Sequence, residues 1–181
     1  MSEKKELPKE IERKYLIQKP DIAVLKSIAG CEATEITQTY LIQKDSGFGR
    51  RIRKRGNGEN WEYTYTQKHK IGFGERIELE DEISEKKYLE LLKEAEPACH
   101  SIHKIRCCIP YEGQLLEIDI YEFSETYATL EIELSSIDTP VILPEWLNIL
   151  EDVTDKRGYS NFALSQKLAF PEELECGKSK F

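Results

Sequence analysis

Alternation of polar and apolar residues is the dominant pattern in this chain. It begins with Glu10-Ile11-Glu12-Arg13-Lys14, in which Glu10, Glu12 and Lys14 share one face of an extended chain. Enrichment in Thr, Tyr and Ile predicts a second strand at 36–43. The same period of two accompanies six further predicted strands, at 50–55, 61–68, 75–83, 102–110, 114–121 and 126–135. Short turns at 45–49, 56–60, 71–74 and 112–113 join several of these strands, which predicts antiparallel pairing.

Helical spacing of apolar residues predicts four short helices between and after the strands. The first begins at Pro20-Asp21 and ends at Gly30, and the second covers 84–96. Pro144 is predicted to open the third, with Trp146 and Ile149, and Ser160 the last. We expect a single domain of residues 1–170, followed by a frayed C-terminal tail at 171–181.

These elements predict a mainly β (α+β) fold. Eight antiparallel strands with few edges favour a closed eight-stranded β-barrel, with the short helices packed outside. The apolar faces, such as Ile118 with Ile120 and Leu130 with Ile132, must be buried, and the short helices are the elements available to pack against them. The opposite faces would then line the inside of the barrel.

Composition narrows the class of protein. The chain has 181 residues, which suits one domain, and its net charge of −8 argues against nonspecific nucleic-acid binding. No run is long and apolar enough to span a membrane, and the N-terminus lacks the apolar stretch of a signal peptide. The five cysteines match no zinc spacing. We therefore expect a cytoplasmic protein with reduced thiols.

The inward faces carry charges whose sign is constant within most strands. An ordinary solvated sheet face would mix signs and include neutral side chains, because neighbouring like charges repel. Arginine and lysine converge on polyanions, whereas paired carboxylates hold a hard divalent cation, so a chain of phosphates fits both. The basic positions are Arg51, Arg53, Lys68, Lys104 and Arg106; the acidic ones are Glu78, Glu80, Glu117, Asp119, Glu131 and Glu133, with Arg76 beside them.

With these residues in view, the chain resembles the triphosphate tunnel metalloenzymes, the CYTH superfamily. The hallmark of that family is Glu-x-Glu-x-Lys on the first strand, here Glu10, Glu12 and Lys14. The later segments Asp155-Lys156-Arg157, Tyr159 and Asn161 resemble the family's closing segment. Further support comes, in order, from Arg51-Ile52-Arg53, Thr66-Gln67-Lys68, Glu78-Leu79-Glu80, Lys104-Ile105-Arg106, Glu117-Ile118-Asp119 and Glu131-Ile132-Glu133.

The resemblance covers residues 10 to about 168 and implies a tunnel that acts on triphosphates with Mg²⁺ or Mn²⁺. It implies metal ligands at Glu10, Glu12, Glu131 and Glu133. Catalytic roles, in orienting the metal, the water or the basic side chains, fall to Glu78, Glu80, Glu117 and Asp119. The residues implied to bind substrate phosphates are Lys14, Arg51, Arg53, Lys68, Arg76, Lys104, Arg106 and Lys156.

The leading interpretation is a metal-dependent hydrolase that releases the terminal phosphate of inorganic tripolyphosphate. A thiamine or nucleotide triphosphatase is an alternative; it would need an aromatic platform at the tunnel mouth, with Trp61, Tyr63 and Phe73 as candidates. A class IV adenylate cyclase, making cyclic AMP from ATP, and a non-catalytic polyphosphate-binding module are further alternatives. The expected partner is a triphosphate-containing small molecule, not a nucleic acid or a membrane, and a homodimer is also considered.

Overall fold

The computed structural model describes residues 9–44 and 49–178. In these residues, 3-10 turns at Leu92–Glu94 and Arg157–Tyr159 accompany nine strands and four α-helices. These elements are β1 (Lys9–Gln18), α1 (Ile22–Ser27), β2 (Glu32–Leu41), β3 (Gly49–Asn57), β4 (Asn60–Gly72), β5 (Glu75–Glu82), α2 (Glu85–Leu91), β6 (Ile102–Tyr111), β7 (Gln114–Tyr121), β8 (Tyr127–Glu133), β9 (Ile149–Asp152), α3 (Asn161–Lys167) and α4 (Pro171–Lys178).

Eight antiparallel strands close into a barrel, which confirms the predicted fold. Their order is β5-β4-β3-β2-β6-β7-β8-β1, and β1 pairs with β5 to complete the ring. The second half of β1 also carries β9 on its outer edge, with Tyr15 opposite Asp152. In the described part of the chain, no helix is long and apolar enough to cross a membrane.

The apolar core lies mainly outside the barrel wall. Ile118, Leu130 and Ile132 from β7 and β8 are fully buried in a cluster that includes Leu25 of α1. A smaller cluster places Ile52 of β3 against Tyr88 of α2. Because alternate residues of a strand point to opposite faces, covering the apolar faces from outside leaves the charged faces inside.

A third apolar cluster plugs one end of the barrel. Leu16 and Tyr121 belong to this cluster, where they pack with Leu164 of α3 and with Phe170. The Tyr121 hydroxyl donates a hydrogen bond of 2.8 Å to Asn161 Oδ1 at the first turn of α3. The charged side chains of the interior line the rest of the tunnel.

The predicted helix at Pro144 is wrong. The structure has only a turn there, with Leu147 N donating to Pro144 O at 3.2 Å, and residues 149–152 form β9 instead. The free edge of β1 offers hydrogen-bond partners to the backbone of this segment. These partners come from tertiary contact and not from the local sequence. Trp146 packs edge-on against Tyr111, with ring centroids 6.4 Å apart.

The predicted frayed tail is also wrong where the structure describes it, because Pro171–Lys178 is helix α4. Glu173 holds the start of α4: its carboxylate accepts from Phe170 N at 2.8 Å and from Ser124 Oγ at 2.6 Å. Ser124 is fully buried, so this bond docks the helix onto the barrel. The predicted turn at 45–49 lies outside the described residues, except for Gly49.

Candidate active site

A cavity of about 530 Å³ occupies the barrel interior. Its lining comes from inward-facing positions on every barrel strand, because alternate residues point inward. Lys156 reaches the cavity from the segment after β9. Every predicted site residue except Asp119 lines it: Glu10, Glu12, Lys14, Arg51, Arg53, Lys68, Arg76, Glu78, Glu80, Lys104, Arg106, Glu117, Glu131, Glu133 and Lys156.

Arg106 lies at the centre of a deep network. Its Nε and Nη2 donate to the two carboxylate oxygens of Asp119 at 2.7 and 2.8 Å. Its Nη2 also donates to Glu131 Oε2 at 2.7 Å, and its Nη1 pairs with Glu117. Lys104 Nζ is 2.5 Å from Asp119 Oδ2. Asp119 is fully buried behind these cations and does not line the cavity, so its contacts suit it to orienting the basic side chains.

The deep cations keep their carboxylate partners ionised. Burial would raise the pKa of Asp119, but Arg106 and Lys104 lower it. Burial would also raise the pKa of Glu131, but Lys14 and Arg106 lower it well below its ordinary value. Burial lowers the pKa of Lys104 to about 8 in spite of Asp119. Lys104 therefore depends on its buried partner to stay charged.

Glu78 anchors a second network on β3, β4 and β5. Its Oε1 accepts from Arg51 Nη2 at 2.7 Å, and its Oε2 lies 2.6 Å from Lys68 Nζ. Burial would raise the pKa of Glu78, but these two cations lower it to about 2. Burial and the guanidinium groups of Arg51 and Arg76 lower the pKa of Lys68 to about 7. The network thus combines a strongly ionised acid with a base that titrates near neutral pH.

Arg76 joins this second network to β1. Its Nε is 3.1 Å from Glu10 Oε2, and its Nη2 pairs with Glu12. Burial and the neighbouring Glu78 carboxylate raise the pKa of Glu10 to about 7. Glu10 is therefore only partly ionised near neutral pH.

Arg53 is a buried cation of the inner wall that its carboxylate neighbours neutralise poorly. Its closest carboxylate oxygen in an ion pair is Glu80 Oε2, at 3.7 Å. Its buried Nε has no hydrogen-bond partner among the described residues. Burial, with repulsion from Arg51 and Arg106, lowers the pKa of Arg53 to about 10. The cavity therefore holds Arg53 near two other guanidinium groups that repel it, an arrangement suited to an anion with several charges.

The carboxylates provide the donor chemistry for a divalent cation. Glu12 lies opposite Glu133 on β8, and Glu117 lies opposite Glu131. Like charges in such positions destabilise a sheet, and Arg76 and Arg106 compensate them only in part. Carboxylate oxygens are the ligands that Mg²⁺ and Mn²⁺ prefer. No three acidic, histidine or cysteine side chains of the described residues converge on a metal position by themselves. The set therefore fits a cation that also takes ligands from elsewhere, such as phosphate oxygens.

The comparisons with known proteins match this architecture. The family model of the CYTH domain matches residues 8–159. The chain belongs to the CYTH family. It is similar to the solved structure of the inorganic triphosphatase NE1496, with 28% identity, 87% of this chain and 94% of that chain covered, and a TM-score of 0.56.

Two other comparisons bear on the CYTH fold. A further structure of NE1496 shares 28% identity over 90% of this chain and 99% of that chain, with a TM-score of 0.56. The structure of PH1819 from Pyrococcus horikoshii OT3 shares 22% identity over 70% of this chain and 80% of that chain, with a TM-score of 0.52, and shows the fold alone. None of the curated proteins matches the chain.

Sequence reasoning missed part of the CYTH tunnel wall. Tyr40 of β2 and Phe162 of α3 line the cavity, with their rings nearly perpendicular and centroids 5.2 Å apart. Burial raises the pKa of Tyr40 to about 12. The inward positions of β2 include Gln38 and Tyr40. These side chains carry no charge, so a pattern of charged faces does not indicate them. Their spacing of two residues was the available signal.

The predicted aromatic candidates lie elsewhere on this CYTH domain. Trp61 packs under Lys54 Nζ, which is 4.2 Å from the ring centroid, and Tyr63 packs 5.0 Å from Tyr88 of α2. Phe73 lies under the Arg13 guanidinium, at 5.2 Å. None of these three rings is part of the cavity lining.

Proposed function

We propose that this protein is a divalent-metal-dependent triphosphatase that hydrolyses the terminal phosphoanhydride of inorganic tripolyphosphate in its tunnel. The observation that carries the proposal is the poorly neutralised Arg53, which shares the cavity with Arg51 and Arg106. A polyphosphate would supply the missing negative charge, and a guanidinium such as that of Arg53 can donate paired hydrogen bonds to phosphate oxygens. The similarity to NE1496, an inorganic triphosphatase, supports this choice of substrate.

The basic side chains would bind and orient the phosphate chain. Phosphoryl transfer depends more on positioning and charge neutralisation than on covalent chemistry. Arg51 and Lys68 are held in place by Glu78, and Lys104 and Arg106 by Asp119. These acids therefore preorganise the cations before the substrate arrives, which lowers the cost of binding it in one orientation.

Glu10, Glu12, Glu131 and Glu133 would hold Mg²⁺ or Mn²⁺. When bound, the cation would neutralise charge on the phosphate oxygens. Arg76 contacts Glu10 and Glu12, and Lys14 contacts Glu131, so these two cations would orient three of the four carboxylates. Glu80 and Glu117, which line the cavity, would orient the attacking water.

An organic triphosphate is the second candidate substrate. Phe162 favours it, because this ring is 47% exposed and lines the cavity beside Tyr40. An aromatic ring in that position offers a stacking surface to a heterocyclic group. We place either activity in the cytoplasm, because Cys31, Cys99, Cys107 and Cys108 are free thiols, as is typical of a reducing compartment.

The test is phosphate release from tripolyphosphate, ATP and thiamine triphosphate, with Mg²⁺ or Mn²⁺ and with excess EDTA. Cyclic AMP is assayed in the same samples. We expect the fastest release from tripolyphosphate and none in EDTA. Full turnover in EDTA would refute metal dependence, and a preference for an organic substrate would favour the second candidate.

The same assay separates the remaining alternatives. Cyclic AMP formed from ATP would identify a cyclase. Saturable tripolyphosphate binding without release of phosphate from any substrate would identify a binding module. The double variant Glu10→Gln/Glu12→Gln, purified identically, controls for contaminating phosphatases.

A further inference from the structure

The barrel wall has a gap beside the residues that the proposed function needs most. On one edge, β1 pairs with β5 only at residues 9–11 and with β9 only from Tyr15 onward. Glu12 and Lys14 lie between these two pairings and have no partner strand on that edge among the described strands. We call residues 12–14 the seam. A strand edge without a ladder is free to shift unless other groups hold it.

Two loops hold the seam in place of a strand. The turn between β4 and β5 supplies Gly74 O, which accepts from Glu12 N at 3.0 Å. The segment after β9 supplies Thr154 Oγ1, which accepts from Lys14 N at 3.1 Å, and Val153 N, which donates to Lys14 O at 2.8 Å. On this edge the backbone of Glu12 and Lys14 thus depends on loops from two distant parts of the chain, whereas β8 pairs with the other edge of the seam.

Asp155 ties these two loops to each other. Its Oδ1 accepts from Lys70 Nζ at 2.5 Å and from Gly74 N at 3.4 Å, and both donors belong to the β4–β5 hairpin. Gly74 has φ +61°, and a Cβ there would lie 2.8 Å from Glu12 O. The hairpin therefore packs against the seam so closely that only glycine fits.

We propose that Asp155 is a positioning residue for the metal ligand Glu12. By linking the β4–β5 turn to the segment after β9, it fixes the backbone of the seam and so the direction in which Glu12 enters the tunnel. This inference rests on the proposed function, because it takes Glu12 as a ligand. A functional carboxylate must be held to within about 0.5 Å of its working position, so small shifts of the seam matter.

The Lys70–Asp155 ion pair should affect the seam locally and contribute little to the stability of the whole fold. Lys70 is 61% exposed, and exposed ion pairs contribute little to stability. Loss of Asp155 should therefore change the seam and the site with little effect on unfolding. That separation makes the proposal testable.

The experiment compares Asp155→Asn with wild type in the full chain by two readouts. The first is amide hydrogen exchange at Glu12, measured by NMR, with Leu130 on β8 as an internal reference. The second is the Mn²⁺ concentration that gives half-maximal phosphate release from tripolyphosphate. We expect Asp155→Asn to speed exchange at Glu12 and to raise the Mn²⁺ requirement, each by about three- to tenfold, with an unchanged melting temperature.

Three further variants sharpen the result. Lys70→Arg keeps the ion pair and should behave as wild type, whereas Gly74→Ala pushes against Glu12 O and should exceed the effect of Asp155→Asn. Glu90→Gln removes an exposed carboxylate from the Lys87–Glu90 pair on α2 and should change neither readout.

Each outcome decides a different point. Unchanged exchange at Glu12 in Asp155→Asn would overturn the seam contact itself. Faster exchange with an unchanged Mn²⁺ requirement would overturn the positioning role. If wild type released no phosphate from any substrate, the proposed function would fail, while the exchange readout would still decide whether Asp155 holds the seam.

Discussion

Replacing Arg53 with methionine should stabilise the metal-free protein and remove most of its activity. Arg53 is only 14% exposed, its ion-pair partner Glu80 is 3.7 Å away, and its Nε is unpaired among the described residues. Methionine keeps an unbranched apolar stem and removes the charge. Glu80 loses little, because its Oε2 keeps the hydrogen bond of 2.8 Å from Thr66.

The expected gain follows from the pKa of Arg53. At pH 7 the group is protonated in both the folded and the unfolded chain. Burial and the nearby Arg51 and Arg106 lower its folded-state pKa to about 10, so the charge opposes folding by roughly 3 kcal/mol at any pH well below 10. That penalty falls only as the pH rises above 10, towards the ordinary pKa of arginine. Allowing for the lost contact with Glu80, we expect a net gain of about 1 to 2 kcal/mol.

Arg50→Met is the matched control, because it changes the neighbouring arginine on the same strand. Arg50 donates hydrogen bonds to Tyr65 Oη at 2.9 Å, to Ile42 O at 2.8 Å and to Glu94 Oε2 at 2.9 Å. Losing these bonds should lower the free energy of unfolding by about 2 kcal/mol. The two substitutions should therefore shift stability in opposite directions.

Urea unfolding in buffer with EDTA measures the free energy of unfolding of wild type and both variants. Phosphate release from tripolyphosphate with Mn²⁺ measures kcat/KM. For Arg53→Met we expect kcat/KM to fall by about a hundredfold, as is typical when a charge-stabilising donor is removed. The reasoning is refuted if Arg53→Met unfolds more easily than wild type, or if it keeps wild-type kcat/KM.

Three other predictions test the acidic residues and the ligand. Glu10→Gln and Glu12→Gln should each cut turnover by about a hundredfold or more and leave the protein folded, while Glu125→Gln should have no effect; near wild-type rates across a Mn²⁺ titration would contradict the assigned ligands. Tripolyphosphate with Ca²⁺ should raise the melting temperature, since it binds the folded tunnel alone, and an unchanged temperature would argue against polyanion binding. Because the pKa of Glu78 is lowered to about 2, its charge stabilises the fold at neutral pH, and this contribution is lost as the pH falls from about 5 towards 2. Glu78→Gln should therefore lose less stability than wild type between pH 5 and pH 3 in urea unfolding.

Much of the candidate site could be predicted because it depends on a local rule. Side chains two residues apart on a strand share a face, so Glu10, Glu12 and Lys14 must project together once β1 forms. The depth of each residue in the tunnel does not follow from this rule. Glu117 and Asp119 share a face, yet Glu117 lines the cavity and Asp119 is fully buried behind Arg106.

The partners of each charge depend on register, which the sequence does not state. Glu12 lies opposite Glu133, and Lys14 opposite Glu131, only because β8 and β1 meet with that offset when the barrel closes. A shift by one residue would move every inward side chain to the outer face. The pKa values of Glu10 and Arg53 depend in part on the same closure, since Glu78 acts on Glu10, and Arg106 on Arg53, from other strands.

Neighbours a few residues apart were enough to predict the eight strands, the charged inner face and the residue types that suit phosphate and a hard cation. How the barrel closes depends instead on contacts between distant segments. β9, the loops at the seam and helix α4 form because the closed barrel presents a strand edge and a buried Ser124 to segments that have weak preferences of their own. Contacts between distant segments override local propensity at those places, so they could not be read from the chain alone.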